Sequence, residues 1–180
     1  MGGVKINELC SYITERTSNV DIASYITTDN MLQNCEGIRP YDGADNITSA
    51  ISYRKGDILL SNIRPYLRKI WQADRDGSCS PDVLVLRPNR DKIDEQFLFY
   101  SLRRDVFFDY IMNVAGVTGI KMPRGNKEGI IKYEIAVPSI KDQKKIAKEV
   151  SHYDELILLE KEKIQNCISR KQEIILKYIN

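Results

Sequence analysis

Residues that could perform catalysis are present in this 180-residue chain, but they are not arranged for it. The single histidine, His152, falls in a charged C-terminal segment, so no Ser–His–Asp or Cys–His set can be assembled around it. Neither a phosphate-binding Gly-x-x-x-x-Gly-Lys run nor a Gly-x-Gly-x-x-Gly run occurs. These observations favour a binding function and predict a surface or interface position for His152.

The spacing of the cysteines predicts mostly packing roles rather than metal binding or cross-linking. They are widely separated, without the close pairs that zinc sites and disulfide frameworks use, and we expect them to be reduced. The four are Cys10, Cys35, Cys79 and Cys167. No stretch is apolar enough to span a membrane, and the N-terminus lacks the hydrophobic core of a signal peptide. We therefore expect a cytoplasmic protein with no membrane contact.

Basic side chains are unevenly distributed, although the net charge is only +2. One basic stretch contains Arg54, Lys55, Arg64, Arg68, Lys69 and Arg75, and a second contains Lys121, Arg124, Lys127, Lys132, Lys141, Lys144, Lys145 and Lys148. Acidic residues concentrate at 91–95 and 154–162. Such segregation could build one basic face for nucleic acid, and an ordinary solvated surface is the alternative.

The elements that would position these residues include one very long helix. After Pro138, residues 139–180 contain no Gly or Pro, and Ser139 is a suitable N-cap with Asp142 three residues later. Apolar residues recur at heptad spacing and are interrupted by Glu160 and Lys171. The stripe comprises Ile146, Val150, Tyr153, Ile157, Ile164, Cys167, Ile174 and Tyr178. Forty helical residues extend about 60 Å, so we expect a partner helix. The alternative is a helix that lies on its own domain.

The remaining residues, 1–138, are enough for one domain with its own core. Apolar, β-branched and aromatic runs predict several strands, and the turn signal at Asp76-Gly77 predicts a hairpin-like turn. The predicted strands are 22–28, 47–53, 58–60, 67–72, 83–86 and 130–137, and the predicted helix is 95–114. The expected fold class is α+β, with a mixed α/β domain at 1–138 followed by a coiled-coil-forming helix at 139–180.

Three segments in this order resemble one family. They are Gly-Asp-Ile-Leu-Leu-Ser-Asn-Ile-Arg-Pro-Tyr-Leu at 56–67, Gly-Val-Thr-Gly-Ile-Lys-Met at 116–122, and Ile-Ala-Val-Pro-Ser-Ile followed by Asp-Gln-Lys-Lys-Ile at 135–146. Together they resemble a target recognition domain, with its following helix, from the DNA specificity subunit of type I restriction-modification systems. Family members usually have more prolines before the helix and a glutamate where Asp142 stands. A full specificity subunit resembles two copies of this unit, so the chain is either a half-subunit or a fragment.

The resemblance implies a non-catalytic subunit that reads one half of a bipartite DNA site, without cofactor or metal. Methyl transfer and cleavage would belong to the methyltransferase (modification) and restriction subunits, which this chain would help to position. The sequence agrees, since it lacks the Asn-Pro-Pro-Tyr and Asp-Pro-Pro-Tyr tetrapeptides of amino-methyltransferases. The implied partners are double-stranded DNA, those subunits, and a second copy or second half bound through the long helix. Two copies paired antiparallel would read an interrupted palindrome.

Polar and basic residues in the loops are the candidate DNA contacts, and we expect the loops to enter the major groove. We expect about half of the candidates to touch DNA, more of them at phosphates than at bases. Asn30 could instead cap a turn, and Thr118 could bond its own backbone. The candidates are Thr27, Thr28, Asn30, Arg39, Tyr41, Arg64, Tyr66, Arg68, Thr118, Lys121, Arg124 and Asn126.

Two other functions are compatible with the sequence. The first is an interaction module or degenerate specificity fragment whose helix docks a partner without reading DNA. The second is a small standalone enzyme, which lacks a visible catalytic constellation. A DNA reader is distinguished by an affinity that falls steeply with salt.

Overall fold

A computed structural model describes residues 2–43 and 47–179. In chain order its strands are β1 (Val4–Lys5), β2 (Cys10–Ile13), β3 (Arg16–Thr17), β4 (Tyr25–Ile26), β5 (Ala50–Tyr53), β6 (Ile58–Ser61), β7 (Ile70–Gln72), β8 (Gly77–Cys79), β9 (Val83–Pro88), β10 (Val117–Thr118), β11 (Arg124–Gly125) and β12 (Glu134–Ile135). The α-helices are α1 (Ile6–Leu9), α2 (Glu95–Leu102), α3 (Asp105–Tyr110), α4 (Lys127–Ile130) and α5 (Ile140–Ile179). Single 3₁₀ turns occur at Ile22–Ser24 and Pro65–Leu67, and a π turn occurs at Ile111–Ala115.

Two four-stranded sheets form the centre of the domain. The first has the order β2-β9-β6-β7 and is antiparallel throughout. The second has the order β3-β5-β8-β4, and its β4–β8 pair is parallel. Two small antiparallel pairs, β1–β12 and β10–β11, complete the strands. The α+β architecture expected from the sequence is confirmed.

The first sheet is buried on both faces, which explains its uninterrupted apolar strands. On one face Leu60 and Leu84 pack in a core that includes Phe97 of α2. On the other face Leu59 and Val85 pack in a second core with residues of the second sheet. The domain is therefore layered as helices, first sheet and second sheet.

Several local predictions were wrong. The predicted strand at 130–137 is reduced to β12, because the main-chain carbonyls of Ile131 and Tyr133 accept bonds from the start of α1. The predicted helix at 95–114 is broken at Arg103 and Arg104, where an extended backbone at Arg104 starts α3 in a new direction. The predicted hairpin-like turn around Asp76-Gly77 is a crossover, since β7 and β8 belong to different sheets. The predicted strand at 22–28 keeps only the two residues of β4.

The long helix begins as predicted. The Asp142 amide donates to Ser139 Oγ over 3.2 Å, so Ser139 is the N-cap of α5. The next residue, Gln143, is 1% exposed. Its Oε1 accepts a bond of 2.8 Å from the Asp94 amide, and its Nε2 donates over 2.9 Å to the Pro138 carbonyl. Because Asp94 is also the N-cap of α2, Gln143 fixes the start of α5 beside the start of α2.

The first half of α5 runs along α2 in the same direction. Ala147 is buried at this contact, and Arg103, just past the end of α2, forms an ion pair with Asp154. Lys161 then reaches Glu36 over 2.6 Å. Beyond Lys161 every described side chain of α5 is exposed. About four turns of α5 pack on the domain before the helix projects from it. The predicted boundary between the domain and the helical extension, at 138/139, stays a prediction.

The heptad stripe lies on an exposed side of α5. Ile146 and Val150 are the least exposed of its larger apolar residues, and Tyr178 is 81% exposed. The stripe is thus not buried on its own domain, as expected from its length. A partner helix stays a prediction. Within residues 2–43 and 47–179, no helix is long and apolar enough to cross a membrane.

We predict that Asp57→Asn destabilises the fold. Arg87 donates two hydrogen bonds to the Asp57 carboxylate, from Nε to Oδ1 over 2.8 Å and from Nη2 to Oδ2 over 2.7 Å. The Asp57 side chain is 3% exposed. Breaking this pair leaves a partly buried cation, so the free energy of unfolding should fall by about 2–3 kcal/mol in urea titrations. Asp91→Asn, an exposed change on the loop after β9, is the matched control. Equal midpoints for the two variants would contradict the prediction.

Candidate nucleic-acid interface

Three loops meet at one end of the first sheet, where β6 ends and β7 and β9 begin. The first loop comprises residues 27–41, the second loop residues 62–69, and the hairpin residues 116–126, which contain β10 and β11. All of the predicted DNA contacts lie in these three segments. Their arrangement depends on main-chain hydrogen bonds that join each segment to the next.

The second loop and the hairpin are joined through the backbone. The Arg64 amide donates to the Pro123 carbonyl over 2.7 Å, and the Gly125 amide donates to the Asn62 carbonyl over 3.1 Å. An isolated bridge also pairs Ile63 with Arg124. The second loop therefore lies against the hairpin as an extra segment of backbone, and the two present one continuous surface.

The first and second loops are joined in a similar way. The amides of Asn34 and Cys35 donate to the carbonyls of Leu67 and Arg68 over 3.1 and 2.8 Å. Lys69 Nζ adds a bond of 2.5 Å to the Thr28 carbonyl. The second loop is thus the central one of the three segments.

Lys69 is a functional candidate that the residue-by-residue selection missed. Burial lowers the pKa of its ammonium group, and the positive charges of Arg64 and Arg39 lower this pKa further, while Asp29 opposes them. Positive charges from both loops therefore act on Lys69. In the sequence, Lys69 is one of several cations in the basic stretch 54–75, and no feature distinguishes it from the others.

The second loop has an unusual backbone. Arg64 and Arg68 flank the Pro65–Leu67 turn, and both adopt the left-handed conformation, with φ of 51° and 54°. Non-glycine residues adopt this region infrequently, and it costs conformational energy. The two bends leave Arg64 exposed and Tyr66 51% exposed at the surface.

Three of the predicted contacts are engaged in shaping the loops. Asn30 is 1% exposed, and its side-chain amide bonds Thr27 N, Tyr25 O and Arg39 O. Arg68 pairs with Asp105 at 2.5 Å. Asn126 caps α4 by accepting bonds from two of its amides. Asn30 thus follows the turn-forming alternative that the sequence left open, and Arg68 and Asn126 also have internal partners.

Most of the other predicted contacts are exposed, and Thr27, Thr28 and Tyr41 are half-buried. In the first loop, Thr27 Oγ1 accepts from the Asp29 amide over 3.1 Å, and Tyr41 packs edge-on against Tyr25. Arg39 and Arg124 form partly exposed ion pairs with Asp42 and Asp82. In the hairpin, the side chains of Thr118 and Lys121 are exposed.

The surface offers cations, hydroxyls and amides rather than a reactive group. Burial raises the pKa of the Cys10 and Cys79 thiols to about 12, so neither is a ready nucleophile. In the part of the chain that the structure describes, no three His, Cys, Asp or Glu side chains are grouped to hold a metal ion. The chemistry that fits is recognition of an anionic, hydrogen-bonding polymer.

Comparison with known proteins decides the family. A family profile described as the type I restriction modification DNA specificity domain matches residues 4–170. The chain belongs to this family. The type I restriction enzyme EcoDI specificity subunit of Escherichia coli is 30% identical over 127 residues, which cover 70% of this chain and 28% of that protein. The MjaVIII specificity subunit of Methanocaldococcus jannaschii is 28% identical over 128 residues.

Solved structures agree with the fold of the specificity domain. The HsdS subunit from Thermoanaerobacter tengcongensis superposes with a TM-score of 0.68 at 24% identity, covering 86% of this chain and 42% of that one. The S subunit from M. genitalium gives 0.58 at 15% identity. The chain therefore spans less than half the length of these relatives.

We predict that Gly129→Ala loosens the base of the hairpin. An added Cβ at Gly129 would lie 2.7 Å from the Ala115 carbonyl oxygen and 2.8 Å from its Cα, so α4 must move away from the π turn. Because the hairpin connects these two elements, we expect a loss of about 1–3 kcal/mol in unfolding free energy and weaker protection of hairpin amides from hydrogen exchange. Gly2→Ala, where a Cβ meets nothing within 4 Å, is the control. Unchanged stability would show that this contact is not required.

Proposed function

We propose that the chain is the sequence-reading element of a type I restriction-modification complex and binds one half of a bipartite DNA site. The observation that carries the proposal is the continuous surface made by the two loops and the hairpin, which exposes Arg64 and Lys121 on a domain of the DNA specificity family. Arg64 of the second loop and Lys121 of the hairpin are exposed, and both segments lie at the end of the first sheet.

The exposed side chains divide the work of recognition. Arg64 can make a bidentate contact with a guanine edge, or bind a phosphate, and a bidentate base contact provides roughly 1–3 kcal/mol of discrimination. Tyr66 can pack on sugar and donate to phosphate, as can Thr118. Lys69 and Lys121 supply positive charge to the backbone. Arg39 and Arg124 would exchange their carboxylate partners for phosphates, whereas Asn30, Arg68 and Asn126 keep the loops in shape.

In this proposal the chain performs no chemistry. Methyl transfer and cleavage belong to separate methyltransferase and restriction subunits, which the chain positions on DNA. The name of the relative from Escherichia coli identifies that protein as a specificity subunit. The long helix would bind a second copy or second half and set the spacing of the two half-sites. Two identical copies related by a twofold axis would read an interrupted palindrome.

An interaction module without DNA reading is the second candidate. It is favoured by the hairpin tip, where Ile120 is fully exposed and Met122 is 51% exposed beside Lys121. Apolar side chains in such a position suit a protein partner, although they also suit contact with base steps in a bent duplex. Salt dependence separates the two, because counterion release makes DNA affinity fall steeply with salt.

Mapping of adenine methylation tests the function directly. The chain would be expressed with its cognate methyltransferase subunit, and methylated adenines would be located by long-read sequencing. We expect a split palindrome if two copies pair, and a split asymmetric motif if another recognition domain completes the site. Methylation that does not depend on this chain would exclude the reading role and leave the interaction module.

We predict that Arg64→Ala lowers DNA affinity in the assembled methyltransferase by roughly tenfold or more, since one guanidinium contact is lost. Binding is measured by fluorescence anisotropy over a series of salt concentrations. If Arg64 binds a phosphate, the slope of log K against log salt should become shallower by about one unit. If it reads a base, the loss should depend on sequence. Arg90→Ala is the matched control, because Arg90 lies beyond the opposite end of β9. Equal affinities for the two variants would remove Arg64 from the interface.

A further inference from the structure

The interruptions of the heptad stripe carry an inference about how two helices meet. Glu160 and Lys171 occupy stripe positions in the projecting part of α5, where apolar residues are otherwise the rule. Within the antiparallel pairing of two copies that the proposed function already includes, we propose that Glu160 of each copy lies against Lys171 of the other and that this contact selects the register. The inference deepens the proposed function and rests on its pairing of two copies.

The heptad positions are compatible with this register, as they are with registers shifted by a whole heptad. Counting along α5, Ile157, Ile164, Lys171 and Tyr178 occupy the a series, and Tyr153, Glu160, Cys167 and Ile174 occupy the d series. In an antiparallel pair, a residues of one helix pack in layers with d residues of the other. A twofold axis between Gln165 and Asn166 aligns every one of these residues with a member of the opposite series. The resulting layers are Lys171–Glu160, Ile164–Cys167, Ile157–Ile174 and Tyr178–Tyr153.

Other arrangements leave the charges unmatched. Sliding the antiparallel register by one heptad places Glu160 against Ile164 or against Tyr178 of the second copy. A parallel pair in register places Glu160 against Glu160 and Lys171 against Lys171. A charged group in an apolar layer or beside a like charge is unfavourable. A polar residue in a coiled-coil seam is known to select register at some cost in stability, and this pair can do the same.

The side of α5 next to the stripe fits the same arrangement. Asp154 and Lys161 lie on this side and form ion pairs with their own domain. Farther along the same side stand Ile168 and Ile175, which are exposed. In the antiparallel register they lie beside Lys161 and Asp154 of the second copy, and therefore against its domain. On this side of the helix, the charged residues thus face their own domain and the apolar residues face the domain of the second copy.

Neighbouring charges are compatible with the pairing. Glu160 accepts a bond of 2.7 Å from Lys163 of its own helix through Oε1, and its Oε2 can accept from Lys171 of the second copy. The register brings Lys163 near Arg170 of the second copy. Arg170 is bonded within its own helix to Glu173 over 3.1 Å, so both cations have a carboxylate beside them.

Charge reversal tests the register. The association of the intact chain is measured by analytical ultracentrifugation, with circular dichroism to verify the fold. We expect Glu160→Lys and Lys171→Glu each to raise the dimer dissociation constant at least tenfold, and the double variant to recover it. A mixture of the two single variants should form a heterodimer, because one Glu–Lys contact is then unchanged and the other is restored with the charges exchanged. Glu162→Lys, a change on the outer side of the helix, is the matched control.

Each outcome decides the inference. A parallel pair would instead form a heterodimer between the wild-type chain and the Glu160→Lys chain, which overturns the antiparallel register. A double variant no tighter than the singles, or a wild-type chain that stays monomeric, also overturns it. DNA reading is measured separately by methylation mapping. Methylation that depends on a monomeric chain would remove only the helix pairing, and a dimer without such methylation would remove only DNA reading.

A cross-link provides a second test that does not depend on charge. In a Cys167→Ser background, a chain with Ile157→Cys is mixed with a differently tagged chain carrying Ile174→Cys. We expect oxidation to join the two tags, since these positions share a layer. Replacing Ile174→Cys by Ile164→Cys separates the thiols along the helix and should abolish the mixed product. Equal yields from the two mixtures would contradict the proposed register.

Discussion

The direction of α5 is set at its start by the two hydrogen bonds of the Gln143 side chain. This side chain is buried at the root of α5, where it satisfies the Asp94 amide and the Pro138 carbonyl together. A buried polar group without partners is costly, so the bonds are effectively obligatory once Gln143 is enclosed. They join the chain before α5, the cap of α2 and α5 itself. Because α5 is about 60 Å long, a small change in its direction at the first turn moves its far end by a large distance. The two hydrogen bonds of the Gln143 side chain limit that change.

The ion pairs of α5 carry this alignment from the start of the helix toward the end of the domain where the candidate interface lies. Asp154 meets Arg103, and Lys161 then meets Glu36, whose segment is bonded by its backbone to the second loop. The helix therefore leaves the domain close to the candidate interface. A rigid relation between helix and loops is what a reader of split sites requires, because the distance between half-sites is then set by protein geometry.

The sequence predicted the parts of the fold that depend on local pattern. Apolar runs identified β6 and β9, and Ser139 identified the start of α5. The break in the helical segment at Arg104 was not predictable, because the apolar periodicity continues across it. In the loops, the sequence showed which side chains are polar but not where their partners lie. Arg68 resembles Arg64 in sequence terms, and only its tertiary ion pair distinguishes the two, whereas Asn30 and Asn126 are set apart by bonds within a turn and a helix cap.

The loops of the interface are joined to one another largely by main-chain atoms. The hydrogen bonds from the Arg64 amide to the Pro123 carbonyl and from the Gly125 amide to the Asn62 carbonyl use main-chain atoms only. Any residue can supply the carbonyl, and any residue except proline can supply the amide. The side chains at 64, 66, 118 and 121 can therefore change without breaking the framework that presents them. Such a surface can acquire a new target preference through single substitutions while its stability is retained. The side chains on the surface can in this way change while the main-chain framework of the loops stays the same.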